Sequence, residues 1–374
     1  MKTVSYEEFS SKIHSLNPGK RILFDASLEL TYRCNDRCVH CFCNLLDSDS
    51  KALQKELTTK EVKDILDELA SMGCLWLLIT GGEPLLRQDF KEIYLYAKLK
   101  GFLITLFTNG TLLDKGTVDL LSQYPPFVVE ISLYGATKET YEKVTRVQGS
   151  YDRCIEGIKR VVDAGIKLKL KTMALTVNQH EIEAMDKMSQ DLGCEFRFDP
   201  MIQKRIDDNK SCKPEKYRIS PEDVVRLDMM FPKRMEAHRE FCKKFIGKPQ
   251  NTESLYQCGA GKGSLNINPY GIVMGCMMMT REGFSLKEQG LKWIWEQGIL
   301  SIISQKKDFS LPCDACSLIN LCGQCPAWSM LEYGDVRKEL TFLCKIAKKR
   351  GEEFDFIKPL RKEGNYDKEN MVKT

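Results

Sequence analysis

CNDRCVHCFCN, residues 34–44, sets four cysteines beside one of the four histidines of the chain. It follows the apolar run ILFDASLELTYR, residues 22–33, which reads as a strand, so the thiols stand on a loop at a strand's C-terminal end. Cys34, Cys38 and Cys41 have C-x3-C-x2-C spacing. An iron–sulfur cube normally takes four thiolates, and three local ones leave one iron open to another ligand. Structural zinc, with Cys43 or His40 as the fourth ligand, is the competing reading of that spacing.

Beyond this stretch, apolar strand-like runs alternate with amphipathic helical ones up to residue 203. The strands are ILFDASLELTYR, LWLLITGG, ITLFTNG, FVVEISLYG, KLKLKTMALT and EFRFDPMI. Thr58-Thr-Lys-Glu61 is a capping box opening EVKDILDELASMG, and DFKEIYLYAKLKG ends at Gly101. Six strands with intervening helices are the pattern of a parallel α/β fold. A partial barrel and an open doubly wound sheet both fit it.

The formal charge of +4 on 374 residues gives no reason to expect nucleic acid or an anionic membrane as partner. No apolar run approaches the roughly 20 residues needed to cross a bilayer, and MKTVSYEEFSSKIHS has no signal-peptide pattern. These features point to the cytoplasm, where thiols stay reduced, so the sixteen cysteines read as metal ligands rather than disulfides.

At the end of the second strand stands Thr80-Gly-Gly-Glu-Pro84. Paired glycines admit close backbone approach, and Glu83 can accept hydrogen bonds from an ammonium group. C-x3-C-x2-C after the first strand with GGEP after the second, about forty residues on, resembles the radical S-adenosylmethionine (SAM) superfamily. The resemblance implies a (β/α)6 partial TIM barrel, an α/β fold, in which Cys34, Cys38 and Cys41 hold a [4Fe-4S] cluster whose open iron chelates SAM. Gly81, Gly82 and Glu83 would line the methionyl amino group, and His40 would lie near the adenine. Asn109 of Thr108-Asn-Gly110 and Ser132 of ISLYG would meet ribose and carboxylate, with Arg146 or Arg153 pairing with the SAM carboxylate. Reductive cleavage of SAM would give a 5′-deoxyadenosyl radical that abstracts a substrate hydrogen.

The strand faces agree with a barrel. Leu28 and Leu30 alternate with Glu29 and Thr31, Val129 and Ile131 with Glu130 and Ser132, Leu168 and Leu170 with Lys169 and Lys171, and Phe196 and Phe198 with Arg197 and Asp199. An ordinary barrel core is filled with branched aliphatics, whereas this lumen would be charged on four of six strands, as a polar cofactor and substrate require.

A second cysteine set, Cys258, Cys276, Cys313, Cys316, Cys322, Cys325 and Cys344, lies in the C-terminal third. Five residues separate its two C-x2-C pairs, where a zinc ribbon needs roughly 15–20. The set resembles the SPASM extension of radical SAM enzymes, which binds two auxiliary clusters. By that resemblance Cys313, Cys316, Cys322 and Cys344 would hold the distal cluster and Cys258, Cys276 and Cys325 the nearer one, with INPYGIVMGC a hairpin turning at Gly271. The last interval of the central run is x2 where the family has x3, which loosens the reach of one cysteine. Met277 stands where sulfatase maturases carry an aspartate base, which argues against formylglycine formation. Cys43, Cys74, Cys154 and Cys194 are read as surplus, Cys212 and Cys242 as linker thiols open to a catalytic role, and His14, His180 and His238 as without function.

The domain organisation expected is a core over 22–203, a linker over 204–257, a SPASM module over 258–350 and a polar tail over 351–374. The resemblance implies an oxidoreductase acting on a peptide or protein side chain, with a low-potential flavodoxin or ferredoxin as electron donor. Small-molecule chemistry in cofactor or tetrapyrrole biosynthesis, such as haem-type decarboxylation, is the alternative; an iron–sulfur or zinc scaffold is the third reading. About 20 residues precede the first strand, too few for a leader-binding domain, so recognition would rest on the linker, the SPASM module or a separate partner.

Overall fold

The six strands read from the sequence form one parallel run in the computed structural model, which describes residues 10, 12–13, 21–207, 212–245 and 253–354, with the backbone alone for Cys242, Phe245 and Asn320. His14 and the tail beyond residue 354 lie outside the described residues. The strands are β1 (Asp25–Glu29), β2 (Trp76–Thr80), β3 (Leu103–Thr108), β4 (Val128–Ser132), β5 (Leu168–Met173) and β6 (Glu195–Asp199), each paired parallel with its successor.

Parallel neighbours require crossovers, and the intervening sequence supplies them as helices. They are α1 (Thr59–Ser71), α2 (Phe90–Leu99), α3 (Lys115–Gln123), α4 (Lys138–Thr145), α5 (Ser150–Asp163) and α6 (Ile182–Asp191). The capping box at Thr58 and Glu61 closes both ways: Glu61 accepts from the Thr58 N–H at 2.8 Å, and Thr58 Oγ1 accepts from the Glu61 N–H at 3.3 Å. The outward face of the sheet, including Leu28, Ile79, Leu106, Ile131 and Leu170, is fully buried, and α1 offers Val62, Ile65, Leu66 and Leu69 as a buried stripe. This is the mostly parallel α/β sheet of a partial TIM barrel.

The sheet is longer than the sequence indicated. The hairpin expected around Gly271 forms, with β7 (Ser264–Ile267) and β8 (Ile272–Met274) antiparallel and Gly271 at φ 79°. Its first strand runs parallel to β1, Asp25 opposite Ser264 and Leu28 opposite Ile267, and β9 (Phe284–Ser285) adds a further edge. Nine strands therefore make one sheet.

The chain divides into two compact units that interleave in sequence. The first holds Met1–Ile219, Asn251–Ser310 and Cys325–Lys338, and so contains the barrel, the hairpin and α9 (Pro326–Tyr333). The second holds Ser220–Gln250, Leu311–Gln324 and Glu339–Thr374, with helices α7 (Pro221–Met230), α8 (Pro232–Phe245) and α10 (Thr341–Glu353). Leu318, Leu321, Ala347 and Phe354 form the apolar centre of this smaller unit.

Asp228 of α7, with no side-chain exposure, ties the smaller unit electrostatically: Arg234 Nε lies 2.5 Å from it, Arg350 Nη2 2.8 Å and His238 Nε2 3.4 Å. Burial alone would raise its carboxyl pKa, but His238, Arg350 and Arg234 outweigh burial and hold it well below the usual range. A depressed carboxylate gives stability above the ordinary aspartate pKa of about 3.9 and loses it as pH falls toward the folded value. Asp228→Asn should cost about 3 kcal/mol in denaturant melts at neutral pH, a loss that shrinks below pH ~4. A neutral-pH melt matching wild type would show that the arginines are satisfied without it.

Candidate active site

The cysteine loop leaves β1 and folds back on itself. Arg33–Cys34 pairs parallel with Leu45–Leu46, and the N–H of Leu45 donates to the Tyr32 carbonyl at 2.8 Å. The far side is fastened to the end of α4, where Arg37 N–H donates to Thr145 O and Val39 N–H to Val144 O, both at 2.9 Å. Cys34 and Cys38 are buried and Cys41 half-buried. Burial pushes the Cys38 thiol well above its ordinary range, with Asp36, Cys34 and Cys41 close enough to add to the effect. Buried thiols of this kind ionise when a cationic metal centre compensates them. The Asp36 N–H points at Cys34 Sγ at 3.4 Å, a donor suited to a thiolate.

Cys43 is also buried, and its thiol bonds to that of Cys41, lowering the Cys41 pKa to about 7. Among the described residues, no three His, Cys, Asp or Glu side chains converge closely enough to hold a single metal ion. A cube does not ask for that convergence, because each thiolate binds a different iron.

The GGE turn after β2 is built against this loop. Gly82 N–H donates to Thr31 O at 2.6 Å and Glu83 N–H to Arg33 O at 2.9 Å. A Cβ on Gly81 would stand 2.2 Å from Thr31 O, and one on Gly82 2.3 Å from Arg33 O. The glycines thus admit the strand that launches the cysteines, a requirement that exists before any ligand arrives. Glu83 is fully buried, and its carboxylate accepts from Leu85 N–H at 3.1 Å, Thr108 Oγ1 at 2.8 Å and Asn109 N–H at 2.7 Å. Burial lifts its carboxyl pKa to about 7 against those donors. Glu83 clasps the ends of β2 and β3 together from behind the cavity wall.

Over the loop opens a cavity of about 390 Å³ at the C-terminal ends of the strands, where parallel α/β folds place their sites. His40, Gly81, Gly82, Asn109 and Ser132 line it with Cys34, Cys38 and Cys41. His40 packs edge-on against Tyr134 at 4.8 Å between centroids, its Nδ1 is buried without a hydrogen-bond partner, and burial lowers its pKa to about 4. Both oxygens of buried Asp36 are also without partners, so polar groups face the cavity unsatisfied. Thiols, open donors and acceptors and a close-packed glycine turn in one cavity fit an iron–sulfur cluster carrying a polar nucleoside ligand.

Arg146 stands elsewhere: it caps α4 in a left-handed conformation, φ 56°, and its Nη2 donates to the Tyr217 hydroxyl at 3.2 Å. Arg153 acts on Asp36 at longer range, lowering its pKa against burial, which raises it to about 7.

The charged lumen is present with two exceptions, Lys169 and Glu130, the latter bound by Arg197 at 2.7 Å. Glu29, Lys171, Arg197 and Asp199 line the cavity, whereas Lys169 pairs with Glu195 at 2.7 Å, one pleat repeat nearer the N-terminal mouth. Glu29 accepts from the Tyr32 hydroxyl at 3.1 Å and from Asn266 Nδ2 of β7 at 3.0 Å. Asn266 and Met277 complete the wall; 237 residues separate Asn266 from Glu29, so only the pairing of β7 with β1 reveals it.

The remaining cysteines sort by unit. Cys258, Cys276 and Cys325 belong to the larger one, where burial pushes Cys325 up to about 11 with Cys258 and Cys276 adding to it. Cys313, Cys316, Cys322 and Cys344 belong to the smaller, where burial raises Cys322 to about 12 with the other three thiols beside it. Cys74 and Cys154 are buried, as surplus apolar cysteines should be, and Cys194 is half-buried. Cys212 Sγ donates to the Val39 carbonyl of the cluster loop at 2.9 Å.

Among the described residues no helix is long and apolar enough to cross a membrane. A family model, the Radical SAM superfamily, matches residues 28–188. The chain is 28% identical to the AdoMet-dependent heme synthase of Methanosarcina barkeri over 83% of its own length and 93% of that protein. It is 27% identical to the mycofactocin maturase MftC of Mycolicibacterium smegmatis, over 80% and 77% respectively. Among solved structures, Streptococcus suis SuiB bound to precursor peptide SuiA superposes with a TM-score of 0.68 at 17% identity, over 87% of this chain and 76% of that one; that likeness shows the fold. With the cysteine loop, the GGEP turn, the end of β1 and the whole of β2 to β5 inside the matched span, the chain belongs to the radical SAM superfamily, as an enzyme of its SPASM type.

Proposed function

We propose that this enzyme acts on a side chain of a peptide or protein, with SAM and a [4Fe-4S] cluster held by Cys34, Cys38 and Cys41. Bound together, those two groups supply a 5′-deoxyadenosyl radical that abstracts hydrogen, which no side chain here could generate. His40, Gly81, Gly82, Asn109 and Ser132 would hold SAM, with Glu83 fixing the turn from behind. Arg146 takes part only if it leaves Tyr217, and Arg153, which does not line the first cavity, only if it reaches into it.

The observation that carries the peptide reading is a shared wall. A second cavity, about 580 Å³, lies in the same unit, and adjacent residues face the two: Ile202, Gln203 and Met277 line the first, Lys204, Arg205 and Met278 the second. An extended chain lying along that wall can place one residue at the reacting position while its flanks fill the other cavity. Met279, Met330 and Leu331 give the second cavity an apolar floor, and Lys213, Arg281 and Glu215 give it charge. The names of MftC and of peptide-bound SuiB agree. Tetrapyrrole side-chain decarboxylation is the second reading, favoured by the 93% coverage of the heme synthase relative. Anaerobic incubation with candidate precursor peptides and with iron porphyrin carboxylates separates the two by mass. Loss of hydrogens from a peptide supports the first, and loss of carbon dioxide from a porphyrin overturns it.

Two auxiliary clusters, on Cys258, Cys276 and Cys325 and on Cys313, Cys316, Cys322 and Cys344, would pass electrons. A low-potential flavodoxin or ferredoxin would serve as donor. We read the core over 22–203, linker over 204–257, module over 258–350 and tail over 351–374 as divisions of the sequence, across which the two compact units interleave. Three cubes give about twelve irons per chain, and Cys322→Ala or Cys325→Ala should each remove about four while SAM cleavage persists. Unchanged iron in either variant would contradict that ligand's assignment.

A further inference from the structure

Inside the barrel, three neighbouring strands bring two cations to one carboxylate. Glu130 projects from β4, Lys171 from β5 and Arg197 from β6, with Lys171 opposite Arg197 in the register. Arg197 claims the Glu130 carboxylate, its Nη2 at 2.7 Å and its Nε at 3.2 Å from Oε2. Lys171 Nζ stands 4.0 Å from the same oxygen, beyond hydrogen-bond reach, and lies over the Phe107 ring 2.7 Å from its centroid. Lys171 and Arg197 line the cavity above the cysteine loop.

Two basic side chains share one carboxylate here, and Arg197 takes it, so among the described residues Lys171 has no anion within hydrogen-bond reach. Glu130 is the acidic group within 4.0 Å of Nζ among the described residues. The other carboxylates along the cavity are not offered to it. Glu29 is held by Tyr32 and Asn266, Asp199 Oδ1 accepts from Met201 N–H at 2.8 Å, and Asp36 lies within the cysteine loop. Burial drives the Lys171 amine well below the ordinary lysine range, with Arg197 opposing and Glu130 supporting its charge. A second carboxylate at Nζ would restore the charged form and complete the set.

We propose that Lys171, with Arg197 beside it, anchors a carboxylate of the reacting substrate that enters this cavity. The assignment rests on reading the cavity as the place of reaction, and it holds for an acidic peptide side chain as for a propionate.

The test uses the full chain, reconstituted anaerobically, as wild type, Lys171→Met and Lys171→Arg. SAM affinity is measured by equilibrium dialysis, and binding of carboxyl-labelled propionate to the SAM-loaded protein by NMR line broadening. A charge-assisted bond contributes about 1.5–3 kcal/mol, so Lys171→Met should weaken the carboxylate by about tenfold or more, and Lys171→Arg should restore most of it. Weaker propionate at unchanged SAM affinity assigns the site to substrate. Weaker SAM, with no propionate bound to the loaded protein, gives the corner to the cofactor and overturns the proposal. Unchanged affinity for both, in a variant with wild-type circular dichroism, overturns it. Lys171→Gln replaces the Met variant should that one not fold. Release of 5′-deoxyadenosine is followed in the same samples: its absence from wild type would fail the radical SAM reading and leave the carboxylate result standing.

Discussion

Replacing Cys34, Cys38 or Cys41 by alanine should lower SAM cleavage by about 100-fold or more and remove the iron of one cluster, while Cys43→Ala changes neither by more than a fewfold. The four thiols share one short loop, so burial does not separate them: Cys43 is as buried as Cys34. Their roles separate by partner. Cys34 Sγ receives the Asp36 N–H, the Cys38 backbone carbonyl closes the turn by accepting the Cys41 N–H at 3.1 Å, and Cys43 spends its S–H on Cys41. A donor to a ligand sulfur adjusts that ligand without holding iron. Iron quantitation with low-temperature EPR of the reduced variants checks this, and loss of the SAM-binding cluster in Cys43→Ala would mean that the ligand set is wrong.

Gly81→Ala should be strongly damaging, costing about 3 kcal/mol in the iron-free protein and preventing cluster loading. The added Cβ would overlap the Thr31 carbonyl at 2.2 Å, and Gly81 sits at φ 129°. The obstacle is backbone at the end of β1, which cannot swing aside as a side chain could. Gly73→Ala is the control, at φ 86° but with nothing within 4 Å of the new Cβ, and should cost about 1 kcal/mol. Denaturant melts of the two variants should therefore differ by about 2 kcal/mol. Equal losses would mean that the close packing of this turn on the cysteine strand does not matter.

Much of this was legible in the sequence because it is local. The six strands, the Thr58 capping box, the hairpin turn at Gly271 and the two motifs each depend on residues within a few positions of one another. What required the structure depends on pairing at long range. The hairpin reads as part of a separate module, yet β7 lies against β1 and carries Asn266 to Glu29. Alternation alone puts Lys169 and Lys171 on one face, but the pleat sets them at different heights, so one meets Glu195 near the mouth and the other faces the cavity. Glu83 fits an ammonium ligand by residue type, and only folding reveals that its oxygens also accept from Thr108, Leu85 and Asn109. Asp36 lay in plain view between two cysteines, with nothing in its neighbours to say that both its oxygens would be buried without partners.

The central claim, that this chain cleaves SAM reductively at a three-cysteine cluster, is tested most directly by incubating the anaerobically reconstituted protein with SAM and dithionite and quantifying 5′-deoxyadenosine. The account predicts 5′-deoxyadenosine and methionine in equal amounts, absent from the Cys34→Ala, Cys38→Ala and Cys41→Ala proteins. An iron-loaded wild-type protein that leaves SAM intact would contradict it.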